Sequence, residues 1–297
     1  MITKNAFRSL AMFALLLLVF SACQKENTLT SIEAPVNITP ENGGAVTDRA
    51  PNFFGVTVWT SAIPSQIVEV DASTGLVVNA FNVTSNGTQI KDLKGICLGP
   101  GGYYVSTGVN NPLAFVNRLL MIDITTGFVV ANYSTGVNFP VSDICFHDES
   151  PLGIYGLRDN SNTPVRINYN AGAWGTSTIF AAMALGQGQV ASGLSWGKIS
   201  GGYRIYIASR NTTSTNVRLH TWNPTTSTAT FNTNLTPVAD FTGANLGFGY
   251  FSFGPVAFIN RRPTSAGLNK VNWPPAPATS LLGAVGTNFE DLCTILY

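Results

Sequence analysis

The chain has 297 residues, of which only 10% are charged against roughly a quarter in an average soluble protein, and its formal net charge is +1. That charge comes with no Lys/Arg cluster to neutralise phosphates, which excludes a nucleic-acid footprint. Asn, Thr, Ser and Gly supply the polar surface instead, a composition that suits an extracytoplasmic β protein.

In chain order, Lys4 and Arg8 form a positive segment ahead of an apolar run, Ser9 to Phe20 (SLAMFALLLLVF), that is too short to span a bilayer comfortably. Residues 1–22 read as a signal peptide. The run ends in Phe20-Ser21-Ala22-Cys23, which resembles the lipobox of bacterial lipoproteins, although Leu is commoner where Phe20 stands. The resemblance implies cleavage before Cys23, a diacylglyceryl group on its sulfur and an acylated new amine, hence a membrane anchor through lipid. Loss of residues 1–22 would remove Lys4 and Arg8 and leave a net charge of −1. Gln24-Lys25-Glu26 is similar to the charged signal that sends lipoproteins of the Bacteroidota to the outer face of the outer membrane. The expected location is therefore the outer membrane, exposed at the cell surface. Residues 23–51 follow as a polar tether with Pro35, Pro40, Gly43 and Gly44 and no apolar period.

From residue 52 onward one paragraph is written repeatedly. Its clearest copy runs from Ile90 to Gly136: short apolar strands GICLG, YYVST, LLMID and VVANY, separated by breaks rich in Gly, Pro, Asn and Thr. The third strand and its turn recur around Asp71, Asp123, Asn168, Asn223 and Asn272, at steps of 52, 45, 55 and 49 residues. The first strand recurs as Gly95-Ile96-Cys97-Leu98, Asp143-Ile144-Cys145-Phe146, Gly193-Leu194-Ser195-Trp196, Asn245-Leu246-Gly247-Phe248 and Asp291-Leu292-Cys293-Thr294. The earliest unit (FFGVTVWT, QIVEVD, LVVNAFNV) lacks a first strand, and the last copy of that strand stands alone. Four-stranded units at a period near 50 residues, with a missing strand at one end and an orphan at the other, predict an all-β, five-bladed β-propeller over 52–297 whose first blade is closed by the C-terminal strand. A β-sandwich needs no fixed period. The repeats resemble the YVTN-type and NHL-type propeller repeats, which specify fold rather than function.

Cys97, Cys145 and Cys293 occupy one repeat position, where the other copies have Ser195 and Gly247. A small buried residue near the axis is the expectation. A thiolate metal site lacks CxxC spacing and an equivalent His, and an odd number of thiols speaks against a disulfide. His147 and His220 sit in no catalytic motif and read as structural. Tyr104, Tyr155 and Tyr206 follow the blade period and read as interblade packing, while Trp59, Trp222 and Trp273 at strand ends are candidates for exposure.

Propeller geometry puts the loops entering each first strand on the same face as those joining second to third strands. Asp92, Asp143, Glu290 and Asp291 would edge the mouth of the channel there, with Arg158, Arg210 and Arg261 at the ends of second strands further out. The longest loops on that face are Gly108 to Asn117 and Met183 to Gln189. Asp143, Asp291 and the three arginines are thus the binding candidates, for a glycan or an envelope-protein partner, with no cofactor required. These charges could equally pair across blades. The chain has no phosphate loop, G-x-S-x-G elbow or paired His ligands. The expected function is a cell-envelope recognition module. The alternative is a glycosidase-like hydrolase or lyase, because five-bladed propellers include glycosidases with carboxylates around a funnel and other propeller enzymes with a channel-bound calcium. Asp143 would then be the base and Asp291 or Glu290 the acid, with Asp92 beside them.

Overall fold

The computed structural model describes residues 52–71, 74–147, 151–199, 202–211, 217–235, 246–251, 254–261, 267–272, 278–284 and 289–293, with backbone only for 197–199, 202–203, 233, 235 and the described residues between 246 and 284. The signal peptide, Cys23, the tether and Trp273 lie outside the described residues.

Among the described residues there are five four-stranded antiparallel sheets. Sheet 1 contains β1 (Phe53–Thr57), β2 (Ile67–Val70) and β3 (Val77–Phe81), and its innermost strand comes from the far end of the sequence, β22 (Phe289–Cys293). A small hairpin of β4 (Val83–Ser85) and β5 (Thr88–Ile90) follows. Sheet 2 is β6 (Leu93–Gly99), β7 (Gly102–Thr107), β8 (Arg118–Ile122) and β9 (Val129–Ser134). Sheet 3 is β10 (Val141–His147), β11 (Gly153–Arg158), β12 (Pro164–Asn170) and β13 (Ala173–Ile179). Sheet 4 is β14 (Gln189–Ile199), β15 (Gly202–Asn211), β16 (Val217–Asn223) and β17 (Thr228–Leu235). Sheet 5 is β18 (Leu246–Phe251), β19 (Gly254–Arg261), β20 (Gly267–Asn272) and β21 (Ala278–Ala284). The innermost strands touch in a cycle, β6 to β10 to β14 to β18 to β22 and back to β6. The fold is an all-β propeller.

The repeat is visible in the register. The small residue of each innermost strand stands opposite an aromatic residue of the next strand: Cys97 opposite Tyr104, Cys145 opposite Tyr155, Ser195 opposite Tyr206, Gly247 opposite Phe258 and Cys293 opposite Phe54. A small side chain leaves room for the ring opposite it, and Tyr104, Tyr155 and Tyr206 are all buried.

The core lies between sheets rather than along the axis. Successive residues of a strand point to opposite faces, so Val105 and Leu120 pack toward sheet 1 while Tyr104 and Leu119 pack toward sheet 3. Likewise Ile154 faces sheet 2 and Tyr155 faces sheet 4. Both faces of the inner strands are therefore apolar, and each fully buried Leu, Ile or Val contributes about 1.5–3 kcal/mol. The outermost strands β3 and β9 alternate with or open to solvent.

Two local readings change. The strand read as LVVNAFNV breaks at Asn82, and Val83 starts the hairpin β4–β5 instead. Its turn is Asn86-Gly87 with φ of 47° and 77°, the left-handed pair that a two-residue hairpin needs. Trp222, expected at the surface, is 2% exposed, because Phe180 and Tyr155 meet it edge to face at 5.0 and 5.9 Å.

Candidate functional site

Four of the five innermost strands share a distortion near their first residues. In β6 the register slips between Leu93 and Gly95, in β14 between Ala191 and Gly193, and in β22 opposite Val56 and Thr57. Each bulge inserts one extra residue into the strand, respectively Lys94, Ser192 and Glu290, and β10 slips within Ser142 to Cys145. A bulge bends the strand and re-aims the extra side chain. Residues of several sheets are thereby brought together at the mouth of the ring.

There the Lys94 ammonium meets Asp92 Oδ1 at 3.3 Å, Asp159 Oδ2 at 3.5 Å and Glu290 Oε1 at 3.5 Å. Burial alone would lower the lysine pKa, but Glu290, Asp159 and Asp92 outweigh it and hold the ammonium above its ordinary value. Lys94 and Asp159 were not singled out from the sequence. Lys94 lies one residue ahead of the first-strand motif, at the repeat position that Glu290 takes in the last copy, and that equivalence is the signal that could have found it.

Asp92 is fully buried and organises the loop of residues 108–117. Its Oδ2 accepts the backbone N–H and the side-chain amide of Asn110, both at 3.0 Å, and Asn111 Oδ1 accepts the backbone N–H groups of Lys91 and Asp92. Gly108 is packed so closely that a Cβ would stand 2.2 Å from Asp92 Oδ2.

Asp291 lies deeper and is also fully buried. Oδ2 accepts the N–H of Ile96 at 2.8 Å and of Ile144 at 3.1 Å, while Oδ1 accepts that of Leu292 at 2.8 Å. One carboxylate thus ties β22 to β6 and β10. Gly95, at the equivalent position of sheet 2, leaves it room, since a Cβ there would be 3.0 Å from Oδ2. Burial, then the neighbouring Asp143, push the Asp291 pKa well up, against the pull of the three N–H donors. Asp143 is buried and holds a left-handed φ of 50°, uncommon for a residue with a side chain.

Among the described residues, neither Arg158 nor Arg210 joins the ion pairs of this cluster. Arg158 is exposed, with its guanidinium 4.8 Å from the centre of the Phe139 ring. Arg210 is partly exposed near the end of β15. Arg261 ends β19, and its side chain lies outside the described residues.

Cys97, Cys145, Ser195 and Cys293 converge further along the axis around a cavity of about 40 Å³. The three thiols are buried and outside any disulfide, and burial raises all three pKa values, that of Cys293 to about 12, so each is a neutral thiol at physiological pH. Among the described residues, no group of three or more His, Cys, Asp or Glu is placed to hold a metal ion. Calcium takes six to eight oxygen ligands, whereas the mouth carboxylates converge on an ammonium.

Ser209 and His220 form a pair that superficially looks catalytic, with Oγ 2.9 Å from Nε2. The serine hydroxyl donates to Gln189 Oε1 at 2.8 Å, so Nε2–H of the imidazole must donate to Oγ, the reverse of general-base geometry. Both residues are buried, and burial, then Arg218, lower the histidine pKa to about 4. The pair holds β15 to β16. His147 is likewise buried, its ring centre 3.9 Å from that of Trp196.

At the opposite end of the ring, where β10 turns into β11 and β16 into β17, a cavity of about 470 Å³ opens between and below sheets 3 and 4. Its lining includes His147, Trp196, Arg204, Trp222, Asn223 and Thr225. Nothing in the repeat pattern marked it.

No protein-family model matches the chain, and no curated protein does. Among solved structures it is similar to a 6-phosphogluconolactonase candidate from Bacteroides uniformis, at 13% identity over 78% of this chain and 67% of that one, with a TM-score of 0.41. A protein from Lactobacillus plantarum gives 15% identity, 78% and 65% coverage and a TM-score of 0.42. Hydrazine synthase of Kuenenia stuttgartiensis gives 13%, 82% and 69%, with a TM-score of 0.38. The propeller rests on the sheets themselves.

Proposed function

We propose that the chain is a non-catalytic recognition module, a propeller of five blades closed by the C-terminal strand and carried on the cell envelope by lipid at Cys23. The observation that carries this reading is the engagement of the carboxylates around the innermost strands. Asp291 is fully buried and given over to three backbone N–H groups, and Asp92 is buried and pins a loop. Acid–base cleavage of a polymer needs two carboxylates that reach the substrate. The lipobox and the residues after it support an outer-membrane, surface-exposed location, and a glycan or envelope protein is the partner such a location offers.

The test offers the full-length protein a panel of polysaccharides and host glycoproteins, scoring retention and released reducing ends in the same wells. Retention without release is expected. Release that disappears in Asp143→Asn would make the chain an acid–base enzyme instead. For the anchor, Cys23→Ala is expected to move the protein from the membrane fraction to the soluble fraction, and unchanged fractionation would overturn lipidation.

A further inference from the structure

The cavity at the end of sheets 3 and 4 has the size of a small-molecule site, since such sites are typically about 300–1,000 Å³ and this one measures about 470 Å³. Its floor is aromatic: Tyr155, Trp196 and Trp222 are buried there, and His147 lies against Trp196. Its rim is polar and open, with Arg204, Asn223, Thr225 and Thr230 all exposed. The described lining includes a guanidinium and no carboxylate.

The fold orients Asn223 at the rim and sets Arg204 on a strand. Asn223 Oδ1 accepts the backbone N–H of Thr225 at 2.9 Å, which orients the amide so that its NH2 group points away from that turn. Thr221, also in the lining, is held by the Asn232 side chain at 3.1 Å. Arg204 lies in β15 with its backbone paired to Gly197, on a strand rather than a loop. A guanidinium carries five N–H donors in a planar fork that matches a carboxylate, so it can take a bidentate partner beside the contacts it already has.

We propose that this cavity binds a saccharide unit bearing a carboxylate, a uronic acid, with the acid group on Arg204, hydroxyls on Asn223, Thr225 and Thr230, and the C–H edge of the ring toward the aromatic floor. This rests on the recognition reading above and names the ligand class for a face opposite the mouth. An apolar floor beneath a few oriented polar groups is the usual division of labour in such sites, and charge-assisted bidentate pairs are the strong ones.

Trp196 and Trp222 make the protein its own reporter. Tryptophan emission of the full-length protein is followed while digalacturonate is added, with the neutral lactose as control. A saturable change with digalacturonate, absent or at least tenfold weaker with lactose, is expected. Arg204→Gln should raise the apparent Kd at least tenfold with an unchanged circular dichroism spectrum, and Arg204→Lys should restore part of the affinity. Equal affinity of wild type and Arg204→Gln, equal response to lactose, or no response up to 20-fold excess over the millimolar range would overturn the proposal. If the glycan panel still retains the protein when Arg204→Gln changes nothing, this cavity falls and the recognition reading stands; if the panel retains nothing while digalacturonate binds, the reverse holds.

Discussion

At one end of the ring Asp92, Lys94, Asp159 and Glu290 turn toward one another, and Asp291 beneath them turns toward backbone N–H groups of three strands. At the other end Arg204, Asn223, Thr225 and Thr230 stand around a cavity. Both ends carry polar residues at the ends of strands, yet the first set closes on itself and the second rings an open cavity. Buried polar groups are nearly always paired, so a cluster of charges near a propeller axis is a statement about closure before it is one about chemistry. Exposed donors around an apolar floor, anchored on strands, are the better mark of a ligand.

The largest expected effect is at Asp291. Replacing it by alanine strips the acceptor from the N–H groups of Ile96, Ile144 and Leu292, and an orphaned buried donor costs about 1–3 kcal/mol. Relief of the buried charge offsets part of this, so Asp291→Ala should lower the urea unfolding free energy by about 3 kcal/mol. A loss of under about 0.5 kcal/mol, the range of ordinary surface substitutions, would place that carboxylate outside the closure. Gly108→Ala comes next. A methyl group 2.2 Å from Asp92 Oδ2 must displace the loop or the acid, and overpacking of this kind costs about 1–3 kcal/mol. An unchanged unfolding midpoint would mean that the loop is not pinned as described.

A pH titration separates the mouth from the Ser209–His220 pair. The unfolded histidine takes up its proton near pH 6.5, the folded one only near pH 4. Between these values the unfolded state binds more protons, so this contribution is fully present above about pH 6.5 and is lost as pH falls toward 4. Asp291 has the opposite sign. Its folded pKa is raised, so the folded state holds the proton more tightly and that group favours folding on acidification. Removing the imidazole in His220→Gln should therefore weaken the loss of stability between pH 6.5 and 4, read from urea midpoints. An unaltered pH dependence would contradict the buried neutral imidazole. The smallest effect belongs to Arg158, whose exposed contact with Phe139 contributes about 0.5–1 kcal/mol. Arg158→Gln should shift the midpoint by no more than that.

The strand pattern was legible in the sequence because turns and small residues repeat where the backbone demands them. Asp71 and Asp123 open their turns by accepting the N–H of Thr74 and Thr125, and each turn closes on a glycine with positive φ, Gly75 and Gly127. The hairpin β4–β5 was missed although Asn86-Gly87 announced it, since Val83 continued the apolar run before it. Lys94 escaped because its role comes from a bulge, a property of backbone pairing that leaves no composition signal. Trp222 was read as exposed from its place beside a turn, whereas Phe180, just past the end of β13, covers it. The cavity needs two sheets and a turn to exist, and no single stretch of sequence contains it.

Amide hydrogen exchange at Ile96 and Ile144 tests most directly whether Asp291 locks the innermost strands. In the wild-type protein both amides should exchange only through global unfolding, as slowly as the slowest core amides such as Val105. In Asp291→Ala these two should lose that protection and exchange faster than Val105, while Val105 continues to follow the global stability. Exchange of Ile96 and Ile144 at rates that match Val105 in both proteins would contradict the lock and leave the buried carboxylate free for another purpose.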